Sequence, residues 1–438
     1  MSLSNLDTAL EAQATTERPM KFVFFPLACL LSHMGRCLEI GKALRDRGHE
    51  VVFAGERPDH PKTKIGVAVQ HGFKTVYAQE PDYRYAWDRF EHYGWMATGW
   101  DLFRHNHWAP LDTILEETIR VIDEEKPDMV IGDASIAVTT AAYIRGIPAS
   151  GVMNAYASVF LTPESPFSWM IRLWDATHLS RIRKRVYKKY GVKPVNAVAL
   201  LRSVHLISPD LPGLYEPPKF FPDYHTVGPI YSEPSVPLPE WYDKLDDGST
   251  NVYLTMGSTG LFDAFLRRNA EALGQLPYRF LVTTGGQVSE ATIQSLPKNF
   301  LVTKYAPGSA LMKKCQALVF HGGNGTTYQA LEAGIPMVAL PSHLEQDELV
   351  KIGVKHGYCI RLSSRRCTGP MLAQALQKLL NTPSYRESAQ GYAERMRQCN
   401  GPATAAALLE RLALEGKPCG WQFQPEHVKA MTTGQVTA

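Results

Sequence analysis

At 438 residues the chain is too long for one ordinary core, and with about 150 residues to a domain it divides into two or three. A composition that is 45% hydrophobic and 20% charged, with 30 prolines and 33 glycines, excludes a chain that is disordered throughout. A formal charge of only +3 gives no electrostatic footprint for nucleic acid.

The first residues, "MSLSNLDTALEAQATTERPM", lack a basic start and an apolar core, so a loose tail over 1–19 is expected rather than a secretory signal. From "KFVFFPLA" (Lys21 to Ala28) onward, short β-branched and aromatic runs alternate with helical stretches. They are "EVVFAG", "FKTVYA", "DMVIGD", "PASGVM" and, after a long helical region, "VHLISP". That rhythm predicts a parallel sheet with helices on its faces, in a first domain over 20–230. In place of a G-x-G-x-x-G fingerprint after the first strand stands "PLACLLSHMGR", and no Walker A loop occurs. Here His33 is expected in a loop before a helix beginning near Arg36, where by itself it reads as a structural residue more readily than as a catalytic one.

Val227 to Trp241, "VGPIYSEPSVPLPEW", carries four prolines and no periodicity, which predicts a linker. A second alternating series follows in "NVYLTMGS", "YRFLVTTGG", "NFLVTKYAP", "ALVFHGG", "MVALP" and "YCIRL", so a second Rossmann-like domain is expected over 231–415. The last stretch, 416–438, is a tail that trails or crosses back to the first domain. The seven cysteines are scattered, with no C-x-x-C and no zinc spacing, and are read as reduced thiols of a cytoplasmic protein. No apolar run approaches the ~20 residues of a membrane span.

The sharpest local signal is "ALVFHGGNGTTYQALEAGIP", a strand running into His321, glycines and an immediate helix. Backbone N–H groups at a helix start are unpaired and carry partial positive charge, so a phosphate can sit on them. Gly322, Gly323 and Gly325 would permit that approach, with Thr326 and Thr327 adding hydroxyls and His321 a ring donor. A plain tight turn with a buried histidine fits the G-G-x-G as well. His321, Gly322, Gly323, Gly325 and Thr326, then Gly334-Ile335-Pro336, Pro341 and Glu345-Gln346, resemble in order and spacing the donor motif of family 1 glycosyltransferases.

The resemblance implies an α/β chain of GT-B fold, two Rossmann-like parallel-sheet domains facing a central cleft. It further implies that His321, Gly323, Asn324, Gly325 and Thr326 hold a pyrophosphate and that Glu345 and Gln346 hold the sugar. Tyr305 in "KYAPGSALM" would stack on the base, and Ser258 and Thr259 in "LTMGSTG" would lie near the phosphates. Gln329 stands where the family commonly has a ribose-binding glutamate, and it can hydrogen-bond only without charge assistance, which leaves UDP and dTDP both open.

In the first domain the resemblance makes His33 the catalytic base and Asp133, at the end of "MVIGD", its partner; Asp133 would otherwise cap the helix near Ser135. An alcohol needs a group that removes its proton as the new bond forms, and imidazole, with an ordinary pKa of ~6.5, suits that task. The implied reaction is metal-independent and inverting: His33 deprotonates the acceptor, and the nucleotide diphosphate leaves against the helix mouth once the domains close. No D-x-D ligand motif is present, and no cofactor is expected beyond a UDP-hexose co-substrate.

The aromatic stretch with Trp87, Phe90, Trp95, Trp100 and Phe103 falls where the family builds its acceptor wall, and otherwise reads as core helices. A lipophilic small-molecule natural product is therefore the expected acceptor of a monomer or homodimer that does not insert into membranes. Three alternatives stand beside it: a lipid or sterol glucosyltransferase using the basic segment 181–189 at a membrane surface, a sugar-nucleotide epimerase, and a non-catalytic nucleotide-sugar binder.

Overall fold

The computed structural model describes residues 18–60, 63–80, 111–133, 135–155, 183–216, 218–233, 236–257, 260–342 and 344–423. The chain divides into two compact units, Met1–Ile230 with Asn400–Ala438, and Tyr231–Cys399.

In the first unit the described order is β1 (Lys21–Phe25), α1 (Leu31–Asp46), β2 (Glu50–Gly55), α2 (Gly66–Gln70), β3 (Lys74–Tyr77), α3 (Leu111–Glu125), β4 (Met129–Asp133), α4 (Ile136–Arg145), β5 (Ala149–Val152), α5 (Ala197–Leu201), β6 (His205–Ser208) and β7 (Tyr224–Thr226). The strands form one seven-stranded sheet in the order β3-β2-β1-β4-β5-β6-β7. Its ladders are parallel, with Phe22 opposite Met129 and Val51. Alternation along each strand sends side chains to opposite faces. Phe22, Phe24, Phe53, Met129 and Ile131 pack one face, and Val23, Val52 and Val130 pack the other. Strands buried on both faces are the nearly continuous apolar runs seen in the sequence. On α1, Gly41 lets the helix close on the sheet, since a Cβ there would lie 2.9 Å from the Phe53 ring.

The second unit runs β8 (Thr250–Thr255), α6 (Phe262–Gly274), β9 (Tyr278–Thr283), α7 (Glu290–Gln294), β10 (Phe300–Thr303), α8 (Gly308–Met312), β11 (Ala317–Phe320), α9 (Asn324–Glu332), β12 (Met337–Ala339), α10 (Leu344–Lys355), β13 (Cys359–Arg361), α11 (Gly369–Asn381) and α12 (Pro383–Met396). Its sheet has six parallel strands in the order β10-β9-β8-β11-β12-β13. Both sheets reverse their winding next to the first strand, between β1 and β4 and between β8 and β11. In open α/β sheets such switch points leave a crevice at the carboxyl ends of the strands.

Two boundaries differ from the sequence expectation. The second unit ends at Cys399 rather than near 415, because α13 (Gly401–Glu415) packs on α1 of the first unit. Ala405, Ala406, Leu409 and Leu412 enter the same core as Met34, Cys37, Ile40 and Leu44. Glu410, 3% exposed, is paired there with Arg47. Periodicity shows that such a helix buries an apolar stripe but not which sheet receives it. The return continues beyond the helix, where the Cys419 amide donates to the Ile147 carbonyl at 2.9 Å. The proline-rich stretch is also more than a linker: from Tyr231 on it is strapped to the second unit, with Tyr231 Oη donating to Glu332 Oε2 at 2.5 Å.

Among the described residues no helix is long and apolar enough to cross a membrane. The cysteines are all free thiols. In the basic segment, Tyr187 is buried, Lys189 Nζ lies 2.8 Å from both Glu116 carboxylate oxygens and Tyr190 Oη donates to Glu116 at 2.6 Å, so these groups are spent within the protein.

Candidate active site

In the first unit the polar residues converge where β1, β4, β5 and β6 end. His33 sits in the first turn of α1, which begins at Leu31 rather than near Arg36. Its Nδ1 lies 2.7 Å from Oδ2 of Asp133, the last residue of β4. The Asp133 side chain is fully buried, whereas 19% of the His33 side chain remains exposed. The helix after β4 has its own cap, the Ser135 hydroxyl accepting from the Val138 amide at 3.4 Å, so Asp133 is not used as the helix cap.

The sequence reading missed Arg36. One turn along α1 from His33, it pairs with Asp133 Oδ1 and donates to Asn154 Oδ1. Asn154 in turn donates to Asp210 Oδ1 at 2.9 Å, and the Ser208 hydroxyl and Ala155 amide donate to Asp210 Oδ2, each at 2.7 Å. An arginine three residues after a candidate histidine on one helix face was the available signal.

Burial by itself pushes the Asp133 carboxyl up, but the Arg36 guanidinium and then the His33 ring outweigh it and hold it down to about 2. Asp133 is therefore a carboxylate at neutral pH and only accepts. Arg36 Nη2 also lies 2.8 Å from His33 Nδ1. One ring nitrogen cannot donate to a carboxylate and accept from a guanidinium together. The charge balance favours Nδ1–H donating to Asp133, with Arg36 spending its hydrogen on Oδ1. That tautomer leaves the lone pair on Nε2, where a proton can be taken up.

In the second unit His321 follows β11, and Gly257 follows β8, on either side of the winding reversal. The His321 ring lies between two glycines. A Cβ on Gly257 would stand 2.5 Å from its Cε1, and one on Gly323 would overlap Nε2. These glycines therefore make room for the imidazole, a more specific reason than open access for a phosphate. Gly322 has φ +89°, and a Cβ there would meet Val350 at 2.7 Å, so it serves the turn.

Gly323 is the N-cap of α9 and offers no side-chain cap, which leaves the amides of Asn324, Gly325 and Thr326 without intrahelical partners. Asn324 Oδ1 is buried without a hydrogen-bond partner. Thr327 is not a donor toward a ligand, because its hydroxyl donates to the Gly323 carbonyl at 2.9 Å. Tyr305 is 51% exposed, with Oη donating to the Gly285 carbonyl at 3.2 Å and the Lys304 ammonium 5.6 Å from its ring centroid, so it is no core residue.

Gln346 is buried, and its Oε1 accepts from the Ser342 amide and hydroxyl at 2.9 Å each; its amide N–H groups are what it can present. Gln329 donates from Nε2 to Glu233 Oε1 at 2.9 Å. Ser258, Thr259, Trp87, Phe90, Trp95, Trp100 and Phe103 lie outside the described residues, as does the side chain of Glu345.

Comparison with known proteins now adds to this geometry. Residues 270–412 match the family of the erythromycin biosynthesis protein CIII-like C-terminal domain. The PGL/p-HBAD biosynthesis rhamnosyltransferase of Mycobacterium bovis is 25% identical over 433 residues, covering 94% of this chain and 92% of the relative. The demethyllactenocin mycarosyltransferase of Streptomyces fradiae is 24% identical over 420 residues, covering 90% and 87%. Among solved structures, the spinosyn forosaminyltransferase SpnP superposes with a TM-score of 0.69 at 19% identity, over 91% of this chain and all of that one, which is a likeness of fold. The chain is a glycosyltransferase with the GT-B fold.

For this glycosyltransferase the contact between Gly323 and His321 gives a direct test. Gly323 has φ −70° and ψ 145°, which alanine adopts freely, so Gly323→Ala perturbs the ring and not the backbone. The expected result is nucleotide diphosphate binding weakened by roughly tenfold or more, the worth of one hydrogen bond to a charged group, with little change in thermal midpoint. Titration calorimetry with UDP checks it, and unchanged affinity would mean that His321 takes no part in holding a diphosphate.

Proposed function

We propose that the enzyme is an inverting, metal-independent glycosyltransferase that moves a hexose from a nucleotide diphosphate sugar to a hydroxyl of a lipophilic small molecule of natural-product type. The observation that carries this reading is the His33–Asp133 pair, with a buried carboxylate at Nδ1 and the lone pair on Nε2. A binding protein has no need of a base held in one tautomer by a carboxylate. The acceptor oxygen would lose its proton to His33 Nε2 as it attacks the anomeric carbon.

The bond from that carbon to the diphosphate oxygen breaks as the new bond forms, which inverts the centre. Asp133 keeps its negative charge and stabilises the imidazolium, as in the His–Asp pairs of hydrolases. The departing diphosphate would be received by the uncapped amides of α9 and by His321, whose fixed dipoles can do the work of a metal ion at a leaving phosphate. A glycolipid or macrolide acceptor is supported by the two relatives, one a rhamnosyltransferase of PGL/p-HBAD biosynthesis and one a demethyllactenocin mycarosyltransferase.

The test is a donor-by-acceptor screen, UDP- and dTDP-sugars against phenolic glycolipid cores, macrolide aglycones and a sterol, read by mass spectrometry. A mass gain of one hexose or deoxyhexose on an acceptor is the expected result. Donor hydrolysis or binding with no acceptor modified by any pair would sink the transferase reading of the site.

A further inference from the structure

We infer that Glu233, on the strap that enters the second unit, supplies the ribose-binding carboxylate that Gln329 lacks, and that the enzyme therefore selects ribonucleotide over 2′-deoxyribonucleotide donors. The inference rests on the donor-site reading above and adds to it the residue and the sugar it discriminates.

The geometry comes from two matched pairs. Tyr231 and Glu233 are two residues apart on the strap, and Gln329 and Glu332 are three apart on α9, hence on one helix face. Tyr231 Oη binds Glu332 Oε2 at 2.5 Å, and Glu233 Oε1 accepts from Gln329 Nε2 at 2.9 Å. Glu233 Oε1 also accepts from the Ser309 amide at 2.6 Å, which ties the strap to α8 as well. Both bonds land on the same oxygen, and Glu233 is only half-buried. Oε2 is thus the charged acceptor left for a ligand.

The carboxylate also settles which way the Gln329 amide points. A carboxylate only accepts, so the atom beside it is the nitrogen, and Gln329 Oε1 becomes a second acceptor. Both side chains gather over Gly308, where a Cβ would stand 3.1 Å from Gln329 Oε1 and 3.6 Å from Glu233 Oε1. Gly308 follows Tyr305 by three residues, so the half-exposed aromatic side chain and the two acceptors lie at one end of α8. Two acceptors side by side, one of them charged, match the two donor hydroxyls of a ribose cis-diol. A 2′-deoxyribose offers one hydroxyl and would leave a desolvated acceptor unpaired.

The experiment compares UDP with 2′-deoxy-UDP, which differ in that hydroxyl alone, by titration calorimetry on the full chain. Wild type is expected to bind UDP roughly tenfold or more tightly than its deoxy analogue, the range for a hydrogen bond to a charged group. Glu233→Ala should bring the two within about twofold of one another, with Glu233→Gln, which keeps Oε1 for Ser309, intermediate. A wild type that binds both equally, or variants that keep the wild-type ratio, would overturn the assignment to Glu233 while leaving the donor site standing. Failure of wild type to bind either nucleotide would instead overturn the donor-site reading, and this inference with it.

Discussion

Asp133→Asn is expected to lower glycosyl transfer by about 10⁴, the effect of the same carboxylate-to-amide change beside the catalytic histidine of serine proteases. An asparagine keeps an oxygen for Arg36 and turns its amide toward His33 Nδ1. The ring nitrogen there must then accept, which moves the proton to Nε2 and removes the base without removing the ring. His33→Ala should cost on the order of 10² to 10⁴, the usual worth of a positioned general base. Neither change touches the second unit, so UDP affinity should stay within about twofold, in line with the loss of a group that acts only in the transition state. Single-turnover rates with a saturating donor, beside calorimetric UDP binding, separate the two effects. Either variant retaining a tenth of wild-type turnover would exclude the pair as the base.

Arg36→Met is expected to destabilise the first unit by about 3 to 5 kcal/mol at pH 7.5, the range for stranding one member of a buried ion pair. Asp133 is fully buried and would face an uncharged thioether side chain instead of a guanidinium, and Asn154 would lose its donor as well. The pH dependence has a definite sign. In wild type the folded Asp133 pKa, held down to about 2, lies below its unfolded value, so this group stabilises fully above ~4 and loses that contribution as pH falls toward 2.

Without Arg36 only His33 opposes the effect of burial and the folded pKa rises above that of wild type, so the variant's deficit is largest at neutral pH and shrinks as the carboxyl takes up a proton. Arg36→Met combined with Asp133→Asn removes both charges and should recover most of the loss. Denaturant unfolding of wild type, the single variant and the double variant at pH 7.5 and pH 5 measures this. A single variant within about 1 kcal/mol of wild type at pH 7.5 would mean that Asp133 is held by something other than Arg36.

Much of this enzyme is legible in its sequence. Continuous apolar runs located six strands of the first sheet and all six of the second, since a strand buried on both faces must be apolar throughout, whereas the short, half-buried edge strand β7 carries no such run and was not expected. The strand-to-helix junction at His321 was legible from its glycines and its place after a strand, where parallel sheets put their ligands, and the pairing of His33 with Asp133 only through the resemblance to family 1 glycosyltransferases. The destination of the helix 401–415 was not legible. An apolar stripe states that a surface must be covered, and the hydrophobic effect is non-directional about the cover.

Tertiary structure decided the partners. Arg36 reaches Asp133 across 97 residues and Gln329 reaches Glu233 across 96, distances over which local pattern carries no record of who meets whom. Crossover connections bring the ends of distant parallel strands together, and the strap folds back onto α8 and α9. Only then does Gln329, a neutral residue in the sequence, acquire a carboxylate, and Asp133 a counter-charge. The sequence by itself determined two parallel sheets and a glycine-rich helix mouth. The electrostatics that tune them were decided by long-range packing, because a charge acts through space on whatever the fold sets beside it.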